Sequence, residues 1–182
     1  MWAGVLTVSD SCFEGQAEDK SGPHLISLLK SKNYVVVEQS IVADNRIEIE
    51  NILQKWCDSS NLDFILTTGG TGFTKRDVTP EATKSVIERE APGIVIALIA
   101  KSLKATPMAM LSRLTAGIRR STLIINFPGS VKACDECFHI IEPILHHLIC
   151  QLRDSKSEVA EHHKHIQEPI KSKQLSLHLS FN

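Results

Sequence analysis

The chain has 182 residues, 42% of them hydrophobic, which suits one domain built around one substantial core. Its 20 basic and 21 acidic residues leave a formal charge of −1, so no general positive field exists to hold a nucleic acid or an anionic membrane, and any anion must be bound locally. The longest apolar stretch, Ile94 to Ala100, is far short of the roughly 20 residues of a membrane-spanning helix, no charged-then-apolar export signal opens the chain, and five cysteines without a pairing framework are expected in a reducing cytoplasm.

Ala3 to Val8 is a short β-branched apolar run that predicts a buried strand, stopped by the polar loop Ser9-Asp10-Ser11. Leu25, Ile26, Leu28 and Leu29 recur at helical spacing after Ser21-Gly22-Pro23. A second strand is expected over 34–42, ending at Ala43-Asp44-Asn45, with Ile47, Ile49, Ile52, Leu53 and Trp56 as the next helical face. Phe64 to Thr67 is a third strand, broken by three glycines within residues 69–72, and a helix restarts at Thr79-Pro80-Glu81, where threonine can cap and proline suits the first turn. Beyond Pro92-Gly93 an almost wholly apolar helix runs to Leu103 and is expected in the core or in a subunit interface. Leu123 to Asn126 is the next strand, closed by Phe127-Pro128-Gly129-Ser130, and a long helix follows with Phe138, Ile141, Ile144, Leu145, Leu148 and Leu152 as its stripe and a kink expected at Pro143. The pattern sets a domain over 1–154 apart from a polar, aperiodic tail or linker over 155–182.

Strands alternating with helices imply an α/β fold with three α/β/α layers and a mainly parallel central sheet. In such a sheet ligands bind beyond the carboxyl ends of the strands, where the strand order reverses. The loops at Ser9–Ser11, Asp44, Gly69–Asp77 and Asn126–Ser130 are expected to open there together.

Gly69-Gly70-Thr71-Gly72 after a strand lets the backbone turn tightly and offer N–H groups to a phosphate, while lacking both the P-loop and the six-residue dinucleotide pattern. Arg76 just beyond it, and Pro128-Gly129-Ser130 leading into a helix N-terminus, add to an anion site. Asp10, Asp44 and Asp77 each fall just past a strand; carboxylates gathered beside phosphate call for a hard cation such as Mg²⁺. Each also has a plainer reading, Asp44 as a cap for the helix that follows and Asp77 as the start of a turn. Cys134 and Cys137 have zinc-like spacing but no second pair in the folded region, and His162, His163 and His165 stand in the polar tail. No glycine-flanked serine nucleophile is present, which argues against an acyl-transfer hydrolase.

Thr7-Val8-Ser9-Asp10-Ser11, Asp19-Lys20-Ser21-Gly22, Thr67 to Phe73, Arg76-Asp77-Val78-Thr79-Pro80-Glu81-Ala82, Met110-Leu111-Ser112-Arg113 and Ile125 to Ser130 stand in the order and spacing of one family. Over residues 2–153 the chain resembles the molybdopterin adenylyltransferases, the group of the gephyrin G domain, its plant counterpart and bacterial MogA. The resemblance implies a MogA-like fold, commonly trimeric, that transfers AMP from Mg-ATP to the molybdopterin phosphate and releases pyrophosphate. It implies that Asp44 and Asp77 are the essential aspartates serving Mg²⁺, that Gly69, Gly70, Thr71 and Gly72 hold the nucleotide phosphates, and that Ser9, Asp10, Ser112, Asn126, Pro128, Gly129 and Ser130 surround the molybdopterin. Two positions depart from the family pattern: Lys75 where proline is common, and Arg120 where glycine usually stands. The resemblance also leaves room for a gephyrin-like trimeric scaffold with little or no catalysis, for a binding module without adenylylation, and for fusion to a molybdate-insertion domain.

Overall fold

A computed structural model describes residues 1–153. The chain runs β1 (Trp2–Val8), α1 (Asp10–Phe13), α2 (Ser21–Ser31), β2 (Val35–Val42), α3 (Arg46–Ser59), β3 (Phe64–Thr68), α4 (Thr79–Val86), β4 (Arg89–Glu90), α5 (Pro92–Ala105), a 3₁₀ turn (Pro107–Leu111), β5 (Ala116–Arg119), β6 (Thr122–Phe127) and α6 (Val131–Leu152). The strands form one six-stranded sheet in the order β2-β1-β3-β6-β5-β4. The first four are parallel neighbours, and β5 and β4 are antiparallel additions at one edge.

Alternation along the strands divides the core into two layers. Ala3, Val5, Phe64, Leu66, Leu123, Ile125 and Phe127 face α2, α5 and α6, where they meet Leu25, Leu29, Leu98, Phe138, Ile141 and Leu145. Leu6, Val8, Ile65 and Ile124 face α3 and α4, where they meet Ile49, Leu53, Trp56, Ala82 and Val86. Every residue of β3 and β6 is buried, as expected of strands covered on both faces. The α/β/α layering and mainly parallel sheet are therefore as expected.

Several short elements carry too little periodicity to stand out in the sequence: the single turn α1, the two-residue β4, the 3₁₀ turn and β5. The β5–β6 hairpin turns through Arg120 at φ 52°, a left-handed conformation that glycine adopts without strain. Glycine would suit this position; Arg120 holds it with a Cβ, its Nε paired with Asp58 and its N–H donating to Glu88. Thr79 does not cap α4, whose N-cap is Val78 without a side-chain hydrogen bond. In α5 only Leu98 is fully buried; Ile94, Val95 and Ile99 pack against the core, whereas Ile96 is 67% exposed. The helix thus keeps an apolar side uncovered within one chain. Pro143 lies inside the 22-residue α6 without ending it, and Ile144 leaves the expected stripe for the surface. The polar segment expected over 155–182 lies outside the described residues.

Candidate functional site

Strand order reverses about β1, whose sequence successors β2 and β3 lie on its two sides. Beyond the carboxyl ends of these strands and β6 lies a crevice of about 430 Å³. Thr7, Val8, Ser9 and Cys12 line it from the β1 end, Asp44 from the β2 end, Thr68, Gly69, Gly70 and Asp77 from the β3 end, and Gly129 and Val131 from the β6 end. The loop over residues 18–21 completes the wall.

The glycines hold the loop ends together at close range. Gly69 adopts φ 96° and Gly70 φ 60°. A Cβ at Gly69 would lie 2.2 Å from the carbonyl oxygen of Val8; one at Gly70 would lie 2.3 Å from Thr79 Oγ1 and 2.8 Å from Asp44 Oδ1. A Cβ at Gly129 would touch Gly69 Cα at 3.3 Å. The Thr79 hydroxyl donates to the Gly69 carbonyl at 3.0 Å and its N–H to the Gly70 carbonyl at 3.0 Å, tying the loop to α4. The Gly69 N–H donates to the Phe127 carbonyl and the Gly72 N–H to Asp77. Among the described residues this leaves the N–H groups of Gly70 and Thr71 without an intramolecular acceptor, a narrower anion cradle than four consecutive residues.

Asp44 is no helix cap. That role falls to Asn45, whose side chain accepts from the N–H groups of Ile47 and Glu48. Asp44 is instead paired reciprocally with Asp10: the Asp10 N–H donates to Asp44 Oδ2 at 2.8 Å and the Asp44 N–H to Asp10 Oδ1 at 2.9 Å. Asp10 is also gripped by Arg76, with Nε to Oδ2 at 2.9 Å and Nη2 to Oδ1 at 2.7 Å. This guanidinium, with the Asp44 N–H, holds the Asp10 carboxyl below its ordinary value. Burial pushes Asp44 up, the Asp10 N–H opposes this, and the charges of Asp10 and Asp77 add to the rise. Burial alone would also raise Asp77, but hydrogen bonds from Thr74 and the Gly72 N–H, with Arg113 nearby, hold it low. The Thr74 N–H reaches Asp77 Oδ2 at 2.8 Å, so Asp77 both closes its turn and faces the crevice.

The remaining expected residues are less uniformly placed. Thr71 is 5% exposed, and its carbonyl accepts from the Arg113 N–H at 2.9 Å. Asn126 is fully buried on the α4 face of β6, donating to Thr67 Oγ1 and Thr83 Oγ1 at 2.9 Å each, so it braces the sheet against α4 instead of lining the crevice. Ser112 follows the 3₁₀ turn, and Ser130 caps α6 by accepting from the Ala133 N–H. The Pro128 carbonyl accepts from the Thr68 hydroxyl. None of Asp10, Thr71, Gly72, Ser112, Asn126, Pro128 and Ser130 lines the crevice directly. Cys134 and Cys137 are buried helix residues, their thiols pushed by burial to about 11 and about 12, and no metal-binding cluster of three or more His, Cys, Asp or Glu occurs among the described residues.

Against this geometry the comparisons are decisive: residues 4–147 match the family described as a probable molybdopterin binding domain. The chain belongs to that family. This molybdopterin-binding-family chain is 44% identical over 90% of its length to the molybdenum cofactor synthesis protein cinnamon of Drosophila melanogaster. It is 41% identical over 87% of its length to the molybdopterin adenylyltransferase of Helicobacter pylori J99. Its fold superposes on the molybdopterin biosynthesis enzyme MoaB of Thermus thermophilus with TM-score 0.79 at 40% identity, covering 83% of this chain and 95% of that one. The chain spans 28% of the length of cinnamon and 26% of Dictyostelium discoideum gephyrin, but 91% of the Helicobacter protein.

The family chain also carries crevice residues that the sequence reading passed over. Asp19 accepts from the Thr7 hydroxyl at 2.7 Å and the Gly22 N–H at 2.9 Å, and a Cβ at Gly22 would strike its carboxylate at 2.3 Å. That packing explains the Asp19-Lys20-Ser21-Gly22 spacing, a signal present in the sequence but assigned to no role.

Proposed function

We propose that this chain is a molybdopterin adenylyltransferase of molybdenum cofactor biosynthesis, transferring AMP from Mg-ATP to the phosphate of molybdopterin with release of pyrophosphate. The observation that carries this reading is the convergence of Asp44, Gly69, Gly70 and Asp77 on one crevice at the strand-order reversal. The Helicobacter relative, matched over 91% of its length, bears the name of that activity.

In this reading a phosphate oxygen of the pterin forms a bond to the α-phosphorus of ATP as the bond from that phosphorus to the bridging oxygen breaks, and pyrophosphate leaves with the electron pair. The attacking phosphate is already ionised at neutral pH, so no general base is required. The barrier lies in bringing two anions together, and positioning and charge neutralisation lower it. Asp44 and Asp77 flank the glycine loop, Asp44 raised by burial and by neighbouring carboxylates, a donor set that favours a cation. Two carboxylates plus phosphate oxygens suffice for Mg²⁺ arriving with the nucleotide. Bound there, Mg²⁺ would neutralise charge developing on the phosphates.

Gly69 to Gly72 form the loop that receives the nucleotide phosphates, with the Gly70 N–H at the crevice wall and Thr71 and Gly72 shaping the loop behind it. Ser9 and Gly129 contact the pterin substrate directly. Asp10, Ser112, Asn126, Pro128 and Ser130 shape that end of the site from behind its wall. The adenylyltransferase domain spans 1–154, with 155–182 as linker or tail. The five cysteines, none joined in a disulfide among the described residues, suit a reducing compartment, the cytoplasm. The chain acts on its own or fused to a molybdate-insertion domain, and the long relatives favour fusion. It assembles as a homotrimer through the uncovered side of α5. That same exposed side supports the second reading, a trimeric scaffold with weak or no catalysis.

Incubation with molybdopterin and Mg-ATP separates the two. Pyrophosphate release that requires the pterin supports the transferase; a trimer that releases none supports the scaffold.

A further inference from the structure

Arg113 lies outside the crevice, yet its hydrogen bonds converge on the loop that carries the crevice carboxylate. Its N–H donates to the Thr71 carbonyl at 2.9 Å, Nε to the Gly72 carbonyl at 2.7 Å and Nη2 to the Asp77 carbonyl at 2.5 Å, while Nη1 pairs with Glu81 in the first turn of α4. One planar fork thus fixes both ends of the segment from Gly72 to Asp77 and joins it to the helix behind. The two carbonyls it grips belong to the residues that set the carboxylate. Gly72 donates its N–H to Asp77, and a Cβ at Gly72 would lie 3.0 Å from Asp77 Oδ2. Asp77 Oδ2 in turn accepts from the Thr74 N–H inside the clamped segment. No proline between Phe73 and Arg76 stiffens this stretch.

We propose that Arg113 is a positioning residue that holds the Asp77 carboxylate in its reactive orientation by clamping the Gly72 and Asp77 carbonyls. For its catalytic consequence the proposal rests on the adenylyl-transfer reading; its geometric part stands alone. Glu81 orients the fork from α4. The contribution lies in shape, since a displacement of about 1 Å at a catalytic group can cost on the order of a hundredfold in rate. A lysine preserves charge but cannot reach three acceptors in a fixed plane.

Arg113→Lys and Arg113→Met are compared with the unaltered chain in two measurements. In the first, amide hydrogen exchange over residues 72–77 is followed without substrates. Exchange at least about tenfold faster in both variants, with core strands unchanged, is the expected result; unaltered exchange in this segment overturns the clamp. In the second, pterin-dependent pyrophosphate release is measured. The expected result is a kcat lower by about thirtyfold to a hundredfold with the KM for Mg-ATP within about threefold, the mark of an interaction felt in the transition state. Lysine should not rescue it. A kcat within twofold of the unaltered chain, a loss confined to KM, or full rescue by lysine overturns the positioning role. If Arg113→Met does not fold, Arg113→Lys, which keeps the stem and charge, decides on the same criteria. An unaltered chain that releases no pyrophosphate overturns the adenylyl-transfer reading and with it the catalytic part, while the exchange result still decides the clamp.

Discussion

Asp44 and Asp77 differ in what their surroundings ask of them. Asp77 is held ionised by local hydrogen bonds, and its Asn variant keeps the size and much of the turn, so the fold should survive. Loss of about 3 kcal/mol of transition-state stabilisation should slow adenylyl transfer on the order of a hundredfold, measured as kcat at saturating Mg²⁺. Asp44 carries a cost in the fold, because its carboxyl is raised from 3.8 by burial and then by neighbouring charge. Its folded form holds the proton to higher pH than the unfolded form, so its contribution to stability is full below 3.8 and is lost as pH rises through the raised value. Asp44→Asn, still able to accept from the Asp10 N–H, should therefore abolish transfer while melting no lower than the unaltered chain at pH 7, with the difference widening as pH rises through that window. The glycines should differ at the site. Gly69→Ala meets the Val8 carbonyl and should cost folding stability of about 1–3 kcal/mol, whereas Gly70→Ala, also at positive φ and against the buried Thr79 hydroxyl and Asp44, should cost a similar amount and in addition raise the KM for Mg-ATP. That Asp44, Gly69, Gly70 and Asp77 gather at one end of the sheet is legible in the sequence because each falls just past a strand. Period-two alternation turns Asn126 toward α4, which the run Ile125 to Ser130 alone does not show, and the role of Arg113 is not legible because its carbonyl partners lie 36 to 42 positions away.

At the scale of elements, buried parallel strands and their helices are readable because each presents a continuous apolar run or stripe. The β4–β5 edge is not, since its strands are short and the β5–β6 hairpin that joins β5 to the sheet turns on Arg120 in place of a glycine. Arg120→Gly should be neutral or stabilising by up to about 1 kcal/mol, read as a small rise in melting temperature, because it removes a left-handed conformation from a residue with a Cβ. Its Glu88 and Asp58 contacts limit the gain. The apolar pattern of α5 was visible, but the division of its faces required the fold: Ile99 packs inward and Ile96 outward. Ile96→Glu is accordingly the substitution that separates assembly from folding. It should change the stability of one chain by no more than about 0.5 kcal/mol, while a carboxylate desolvated between copies should cost several kcal/mol and release single chains, seen by sedimentation.

For the whole molecule, the crevice residues Asp44, Gly69, Gly70 and Asp77 all come from one chain, so adenylyl transfer should persist in the single chains released by Ile96→Glu. The most direct measurement follows the fate of phosphorus. With ATP labelled in turn at the α- and γ-phosphates, molybdopterin and Mg²⁺, the account predicts that α-label appears on the pterin in equal amount to the pyrophosphate released, that γ-label appears only in pyrophosphate, and that Asp77→Asn suppresses both. Label from the γ-position on the pterin, or α-label that never leaves ATP in the presence of the pterin, would contradict it.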